Sequence, residues 1–380
     1  MELKQRLVSL DVFRGMTIAA MVLVNNPGTW SAVYSPLKHA DWHGITPTDY
    51  IFPFFLFIVG VAVTLSLGKR IENERKGHIY LKIIKRSIII FLLGLLLAAF
   101  PIYNFSKGEW LNLSELRIMG VLQRIAICYL VTSLIFIHTN WKQQTLIAGA
   151  LCLIYWALMV LVPVPGCLVT TIDDKACNLA AYLDRLILGE NHLWKSAKVY
   201  DPEGLLSTIP AIATTLAGVL TGHWIKREID IYEKVSGLFF FGVVLLAIGY
   251  LWSLAFPLNK SLWTSSYVVY TAGLALCFLG FCYYLIDIKE YKAWTKPFVI
   301  FGVNPLILFV GSGLMAKTLI IVKVTGEDGK SVSLQKWIFD NFFLSIASPI
   351  NASLLYAICF ILLWLFLMWL LYRKGIYIKV

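Results

Sequence analysis

"MELKQRLVSLDVFRGMTIAAMVLVNN", residues 1–26, passes from a basic segment into an apolar one. A secretory signal peptide has the same outline, so the reading of this stretch decides between an exported soluble chain and a membrane-embedded one. Asp11 and Arg14 interrupt the apolar stretch early, and no small-x-small cleavage site follows. The expectation is a retained first span. The rest of the chain agrees with it. Of 380 residues, 59% are hydrophobic and 14% charged, and the mean hydropathy is +0.74. A soluble domain of that composition would expose one continuous apolar patch.

A transmembrane helix uses roughly 20 residues. Apolar runs place spans near 10–27, 49–68, 87–103, 117–137, 145–163, 205–222, 235–256, 265–286, 297–320 and 351–372. The fold class expected is therefore an all-α polytopic membrane protein, a bundle of about ten helices forming one domain over residues 1–380. The longest polar loop, 164–204, contains "NLAAYLDRLIL", whose spacing predicts a short helix. An even number of spans puts both termini on one side. The loops on that side hold 19 of the 33 Lys and Arg residues, and the longer opposite loops hold 10. Basic residues collect on the cytoplasmic side, so both termini are expected there. The net charge of +11 is spread over short loops rather than gathered in one patch, which argues against nucleic acid.

Cys128, Cys152, Cys277, Cys282 and Cys359 lie within apolar runs and read as packing residues. Cys167 and Cys177 share the 164–204 loop, and an oxidising space outside would permit a disulfide between them.

Charged groups inside hydrocarbon cost several kcal/mol unless paired or hydrated, which makes each a functional candidate. Asp11 and Arg14 share a face of the first span, and Asn25 falls on the same face roughly 16 Å further along. An arginine snorkelling beside Asp11 is the plainer account. In "LRIMGVLQRIAICYL" (116–130), Gln123 and Arg124 lie within the fourth span, where Arg124 requires a carboxylate, backbone carbonyls, water or an anionic ligand. "YDPEGLLSTIPAI" (200–212) sets Asp201 and Glu203 before the sixth span, a pattern that helix capping also explains. "PLNKSLWTSSYVVY" (257–270) offers Lys260 and Trp263, which equally fit an interfacial anchor. "FGVNPLILF" (301–309) places Asn304 before Pro305 inside a span, marking a broken helix at a ligand or a simple kink.

One outward loop is denser in proton-handling groups than any other. "LKHADWHGITPTDYIFPFF" (37–55) carries His39, Asp41, Trp42, His43 and Asp49. A solvated loop is the bland reading and an active site at the membrane face the sharp one.

Taken together, "SLDVFRGMTIAAMVLVNNPG", "LKHADWHGITPTDYIFPFFLFIVG", "RIMGVLQRIAICYL", "DPEGLLSTIPAI" and "PLNKSLWTSSYV" resemble, in order and spacing, the heparan-α-glucosaminide N-acetyltransferase family. The likeness runs from about residue 7 to the C-terminus. It implies acetyl transfer across a membrane, from cytosolic acetyl-CoA as co-substrate to an amino sugar on the far side. The family's catalytic histidine falls on His39 and its nearby asparagine on Asn25. Where relatives carry a neutral Asn or Ser near that histidine, this chain has Asp41 and His43. The chain begins close to the first motif, without the large luminal region of the lysosomal enzyme, so a bacterial member in the cytoplasmic (inner) membrane is expected.

On this reading Arg14, Asp11, Arg124, Gln123 and Asn304 serve the donor, Arg14 by its charge at the inner entrance. Asn25 stabilises the thioester oxygen, His39 takes the proton, and Asp41 or Asp49 orients the ring. Trp42, His43, Asp201, Glu203, Lys260 and Trp263 meet the acceptor, a glycan or amino sugar. No metal is expected, and a homodimer is a common state for membrane enzymes. Two rivals stand beside it. One is an amino-sugar or glycan transporter or flippase, although no inverted repeat is visible. The other is a sugar O-acetyltransferase, whose histidine would fall where Asn25 stands.

Overall fold

The computed structural model describes residues 7–104, 108–326 and 329–378. Residues 1–6 and 379–380, which belong to the expected inner loops, lie outside the described residues. The chain is helical along most of its length. In order come α1 (Val8–Asn25), α2 (Ile51–Asn73), α3 (Lys76–Ala99), α4 (Val121–His138), α5 (Trp141–Leu161), α6 (Leu179–Leu188) and α7 (Thr208–Lys226). They are followed by α8 (Ile231–Ser253), α9 (Ser265–Cys282), α10 (Lys296–Val303), α11 (Pro305–Ile321), α12 (Leu334–Ile338) and α13 (Pro349–Arg373). Two small antiparallel hairpins pair β1 (Tyr103–Asn104) with β2 (Glu109–Trp110), and β3 (Lys323–Thr325) with β4 (Ser331–Ser333).

Seven helices are long and apolar enough to cross a membrane, and an eighth span is formed if the bent pair α10–α11 counts as one. These coincide with eight of the ten expected spans. α3 and α7 occupy the other two positions without that apolarity, since Lys82, Lys85 and Arg86 sit in the first half of α3 and four threonines and His223 lie along α7. The chain is a multi-pass, all-α membrane protein. It divides into two compact units.

The first unit comprises residues up to His39, Thr46–Ile51 and Cys282 onward. Its core is the crossing of α1 with α10, with α11 and α13 alongside. Two glycines make the crossing. A Cβ on Gly15 would lie 1.8 Å from the Phe298 carbonyl oxygen, and one on Gly302 would lie 2.2 Å from that of Asp11. Only a residue without a side chain lets the backbones approach this closely. After Val303 the span bends by 84°. Pro305 cannot donate a backbone hydrogen bond, so the ladder breaks there. The Asn304 side-chain amide at the break binds the C-terminal tail. Its Nδ2 donates to the Ile376 carbonyl at 2.9 Å, and its Oδ1 accepts from the Ile378 N–H at 3.0 Å. The chain's last described residues are thereby pinned across the break.

The second unit comprises Ala40–Ile45 and Phe52–Phe281. Helix α7 is its centre, packed on α4 and α5 and against α2 through a second glycine crossing. Cβ atoms at Gly60 and Gly218 would lie 1.9 and 2.0 Å from the carbonyl oxygens of Thr215 and Phe57. The threonines of α7 are compatible with burial because Thr214, Thr215 and Thr221 return their hydroxyls to the carbonyls of Pro210, Ala211 and Ala217 one turn back. In the loop before α7, Cys167 and Cys177 are joined by a disulfide, and Asn178 caps α6 by accepting from the Ala181 N–H.

Candidate functional site

In the first unit the loop after α1 folds back on itself between Pro36 and Asp49. Thr48 Oγ1 donates to the Pro36 carbonyl at 3.0 Å, and Thr46 Oγ1 reaches the Lys38 carbonyl at 2.7 Å. This tightness brings residues ten apart into contact. His39 Nδ1 lies 2.6 Å from Asp49 Oδ1. The other carboxylate oxygen, Oδ2, accepts the Thr46 N–H at 2.9 Å, so the same aspartate caps the short helical turn that leads into α2. Asp49 is buried at 1% exposure, whereas 47% of the His39 side chain remains accessible. A carboxylate facing Nδ1 holds the ring proton there and leaves the lone pair on Nε2. The arrangement is that of a base with its orienting acid.

Asp41 is exposed. Asn25 ends α1 and is exposed, while its neighbour Asn26 is buried with its amide donated to the Val22 carbonyl at 2.7 Å. At the other end of α1, Arg14 Nη1 donates to Asp11 Oδ1 at 3.1 Å and to the Gly302 carbonyl at 3.3 Å. The Asp11–Arg14 pair expected from their spacing therefore exists, and it is anchored to the end of α10. Asn304, expected to mark either a broken helix at a ligand or a simple kink, bonds the tail through its amide.

The second unit gathers most of the remaining candidates around α4 and the turn before α7. Arg117 binds both carboxylates: its Nε donates to Asp201 Oδ2 at 2.8 Å, and its Nη2 reaches Asp201 Oδ1 and Glu203 Oε2. Burial works against the ionised form of Glu203, but the charges of Arg117, Arg124 and Lys260 outweigh it and hold its carboxyl below the usual range. Burial likewise opposes the Arg117 guanidinium, and the two carboxylates overcome it, raising its affinity for the proton. Arg124 is fully buried. Its Nη2 donates to the Gly204 carbonyl at 3.1 Å and to Ser207 Oγ, and its guanidinium lies 5.1 Å from the Trp263 ring centroid. Its Nε and Nη1 meet no acceptor among the described residues. Gln123 is buried, with its side-chain oxygen packed against Gly94 of α3.

Trp263 is no interfacial anchor. It is 1% exposed, donates its indole N–H to Thr214 Oγ1 at 3.1 Å, and adopts a φ of +53°. A bulky residue in the left-handed region is strained, and surroundings that enforce such strain commonly belong to functional sites. Lys260 precedes it in the same turn, where its carbonyl accepts the Trp263 N–H at 3.1 Å. Trp42 and His43 also lie in this unit. The Trp42 N–H donates to the Ile172 carbonyl at 2.8 Å, and His43 Nε2 lies 2.8 Å from Asp173 Oδ1.

Arg117, read from the sequence as a charge at the outer end of the fourth span, gathers the acidic pair. Two residues of this region escaped the reading of the sequence. Asp184 clamps the turn at Gly204, accepting the N–H groups of Leu205 and Asp201. Gly204 approaches it so closely that a Cβ would lie 1.9 Å from Asp184 Oδ2. The signal for Asp184 was present, since it shares the buried face of α6 with Ala180 and Ala181 at helical spacing. Asp173 lies on the disulfide-closed loop, where no periodicity announces it. Among the described residues no three His, Cys, Asp or Glu side chains are placed to hold a metal ion.

Residues 6–180 match a family described as a domain of unknown function (DUF5009). Heparan-alpha-glucosaminide N-acetyltransferase of Homo sapiens is 28% identical over 439 aligned residues, covering all of this chain and 60% of the human protein. Its Mus musculus counterpart is 30% identical over 362, covering 80% of this chain and 53% of the mouse protein. Along its whole length the chain is thus similar to a heparan-α-glucosaminide N-acetyltransferase. It spans little more than half the length of these relatives, and both the His39 loop and the Arg117–Arg124 cluster fall inside the aligned chain.

Proposed function

We propose that this chain is a transmembrane acetyltransferase that moves an acetyl group from acetyl-CoA on the cytoplasmic side to the amine of an amino sugar on the outer side, with His39 as general base. Both termini then lie in the cytoplasm, and the membrane is the bacterial inner membrane. The observation that carries the reading is the His39–Asp49 contact at 2.6 Å, in which a buried carboxylate fixes a half-accessible imidazole.

The amine lone pair attacks the thioester carbonyl carbon, forming the C–N bond. The proton released from nitrogen goes to Nε2 of His39. Negative charge develops on the carbonyl oxygen, toward which Asn25 donates a hydrogen bond. When the C–S bond breaks, the CoA thiolate leaves and recovers that proton. One histidine suffices for direct transfer, with Asp49 holding its tautomer. Asp41, being exposed, is the weaker choice for that task. Arg14 at the inner end of α1 serves the donor's phosphates, oriented by Asp11, with Asn304 as the residue that shapes the same end through the tail. Arg124 and Gln123 face the acyl end of the donor, Arg124 through Nε and Nη1. Asp201, Glu203, Lys260, Trp263, Trp42 and His43 receive the acceptor.

The test uses vesicles with acetyl-CoA inside and glucosamine outside. N-acetylglucosamine should accumulate outside, and His39→Ala should abolish its formation while acetyl-CoA still binds. Full turnover by that variant removes His39 from the mechanism. The 84° break between α10 and α11 also suits a transporter, whose sites lie at interrupted helices. Uptake of labelled glucosamine without acetyl-CoA would favour that reading, and O-acetylated product would favour an O-acetyltransferase.

A further inference from the structure

The ten-residue interval closed by the Cys167–Cys177 disulfide is built to be rigid. Asp174 Oδ1 accepts the N–H groups of Ala176 and Cys177 at 2.6 and 3.1 Å, and the Thr171 N–H donates to the Cys177 carbonyl at 3.1 Å. Arg185 of α6 donates to the Ala176 carbonyl at 2.9 Å, and Asn178 donates to the carbonyls of Asp174 and Lys175. So many bonds inside so short a loop serve something beyond closing it, because a solvated connection needs none of them.

Three groups project from this frame onto two residues of another loop. The Ile172 carbonyl takes the Trp42 N–H at 2.8 Å, and the Lys175 ammonium stands 5.6 Å from the Trp42 ring centroid. Asp173 Oδ1 meets His43 Nε2 at 2.8 Å. The other side of His43 is fixed as well. Asn259 Oδ1 accepts the Leu262 N–H at 2.8 Å, which turns its Nδ2 donor toward His43 Nδ1 at 3.3 Å. Nδ1 is therefore an acceptor, the ring proton sits on Nε2, and Asp173 receives it. Tyr200 completes the enclosure, edge-on to Trp42 at 5.1 Å, with Trp194 edge-on to Tyr200 at 6.3 Å.

We propose that the disulfide-closed loop is the positioning element of the acceptor site, holding Trp42, directly and through its neighbour His43, in the orientation that receives the ring of an amino-hexose. This rests on the acetyltransferase reading. Trp42 and His43 follow His39 by three and four residues, so the base lies within short covalent reach of them along the chain. An indole offers a flat apolar surface to the C–H face of a hexose, and His43, with both ring nitrogens engaged by Asn259 and Asp173, braces the segment that carries it. Ile172 and Asp173 never touch the sugar. They act through Trp42 and His43, and the disulfide holds them both.

The experiment measures glucosamine binding by calorimetry and transfer kinetics with each substrate varied in turn. The proteins are the wild type, Asp173→Ala, Asp173→Asn and the double variant Cys167→Ser/Cys177→Ser. Asp173→Ala and the double serine variant should raise the acceptor KM and Kd by roughly tenfold. The acetyl-CoA KM and kcat should stay within about twofold, because the donor meets other residues. Asp173→Asn keeps an oxygen for the His43 N–H and should restore near wild-type acceptor affinity. Unchanged acceptor KM and Kd in both damaging variants would overturn the proposal. So would a loss shared equally by donor and acceptor, which would mark general loosening. Wild-type binding of glucosamine without transfer would sink the acetyltransferase reading alone, and the binding data would still judge the loop. A wild type that binds no glucosamine overturns both.

Discussion

On the proposed acetyltransferase reading, replacing Asp49 by asparagine should nearly abolish acetyl transfer while leaving the fold in place. Asp49 uses one oxygen for His39 Nδ1 at 2.6 Å and the other for the Thr46 N–H at 2.9 Å. An asparagine has one oxygen for these two positions. Thr46 presents a backbone donor that must meet an acceptor, so the amide oxygen turns to it and the NH2 group turns to His39. A donor facing Nδ1 makes that nitrogen an acceptor and drives the ring proton to Nε2, where a base needs its lone pair. The loss of a charge-assisted bond costs about 1.5–3 kcal/mol locally, which a protein of this size survives. The tautomer change removes general-base catalysis, worth about 10²–10⁴ in rate, and the corresponding Asp→Asn change in the serine-protease triad costs about 10⁴. The expected result is a kcat for glucosamine acetylation reduced by about 10²–10⁴ with the acetyl-CoA KM within about threefold of wild type. Circular dichroism and elution profile should match the parent. A variant with correct folding and at least a third of the wild-type kcat would show that Asp49 is only a helix cap.

Three other predictions test the frame around the site. Burial, with the charge of Asp201 adding to it, pushes the Asp184 carboxyl from its ordinary 3.8 up to about 7. The folded state thus holds this proton more tightly than the unfolded state does. The stability it contributes is fully present below pH 3.8 and is lost as pH rises to about 7, by at most about 4 kcal/mol at 1.36 kcal/mol per unit. Melting temperatures should therefore fall between pH 5 and 8 in the wild type and fall less in Asp184→Asn; parallel profiles would rule the carboxyl out. Gly15→Val forces a side chain into the Phe298 carbonyl and should cost at least about 1–3 kcal/mol, read as a lower melting temperature in detergent, whereas Gly77→Val, at a position with nothing within 4 Å, should not. Asn304→Ala removes both bonds to the tail, at about 0.5–1.5 kcal/mol each. The Ile378 amide should then exchange its hydrogen at least about tenfold faster, and unchanged protection would show that the tail is held by other contacts.

The sequence made some of this arrangement readable because the relevant forces act over short distances along the chain. Apolar runs long enough to span lipid announce themselves, and the early charges of the first span mark it as retained. Asp49 and His39 lie in one short loop, so their meeting was within reach of a local argument, and the i,i+3 spacing of Asp11 and Arg14 brought them together as expected. Where partners are remote in sequence, the residue type stated a need without naming what would meet it. Arg124 required acceptors inside the bilayer, and they come from Gly204 and Ser207, 80 and 83 positions away. Asn304 marked the break in a helix, but its amide is claimed by backbone groups 72 and 74 residues on, which carry no side-chain signal at all. Trp263 looked like a belt residue because tryptophan favours that boundary. Its left-handed backbone and burial come from the turn around it and from Arg124 lying on its face. The same logic explains why the acceptor side was the harder half to foresee. A base and its orienting acid need only a tight loop, whereas the proposed acceptor side at Trp42 is held by His43, Asp173 and Tyr200, whose positions are fixed by a disulfide and by hydrogen bonds spanning up to 216 residues. Chemistry within a loop is local and specificity at its rim is not, so the residues that choose the acceptor are those that a single sequence conceals best.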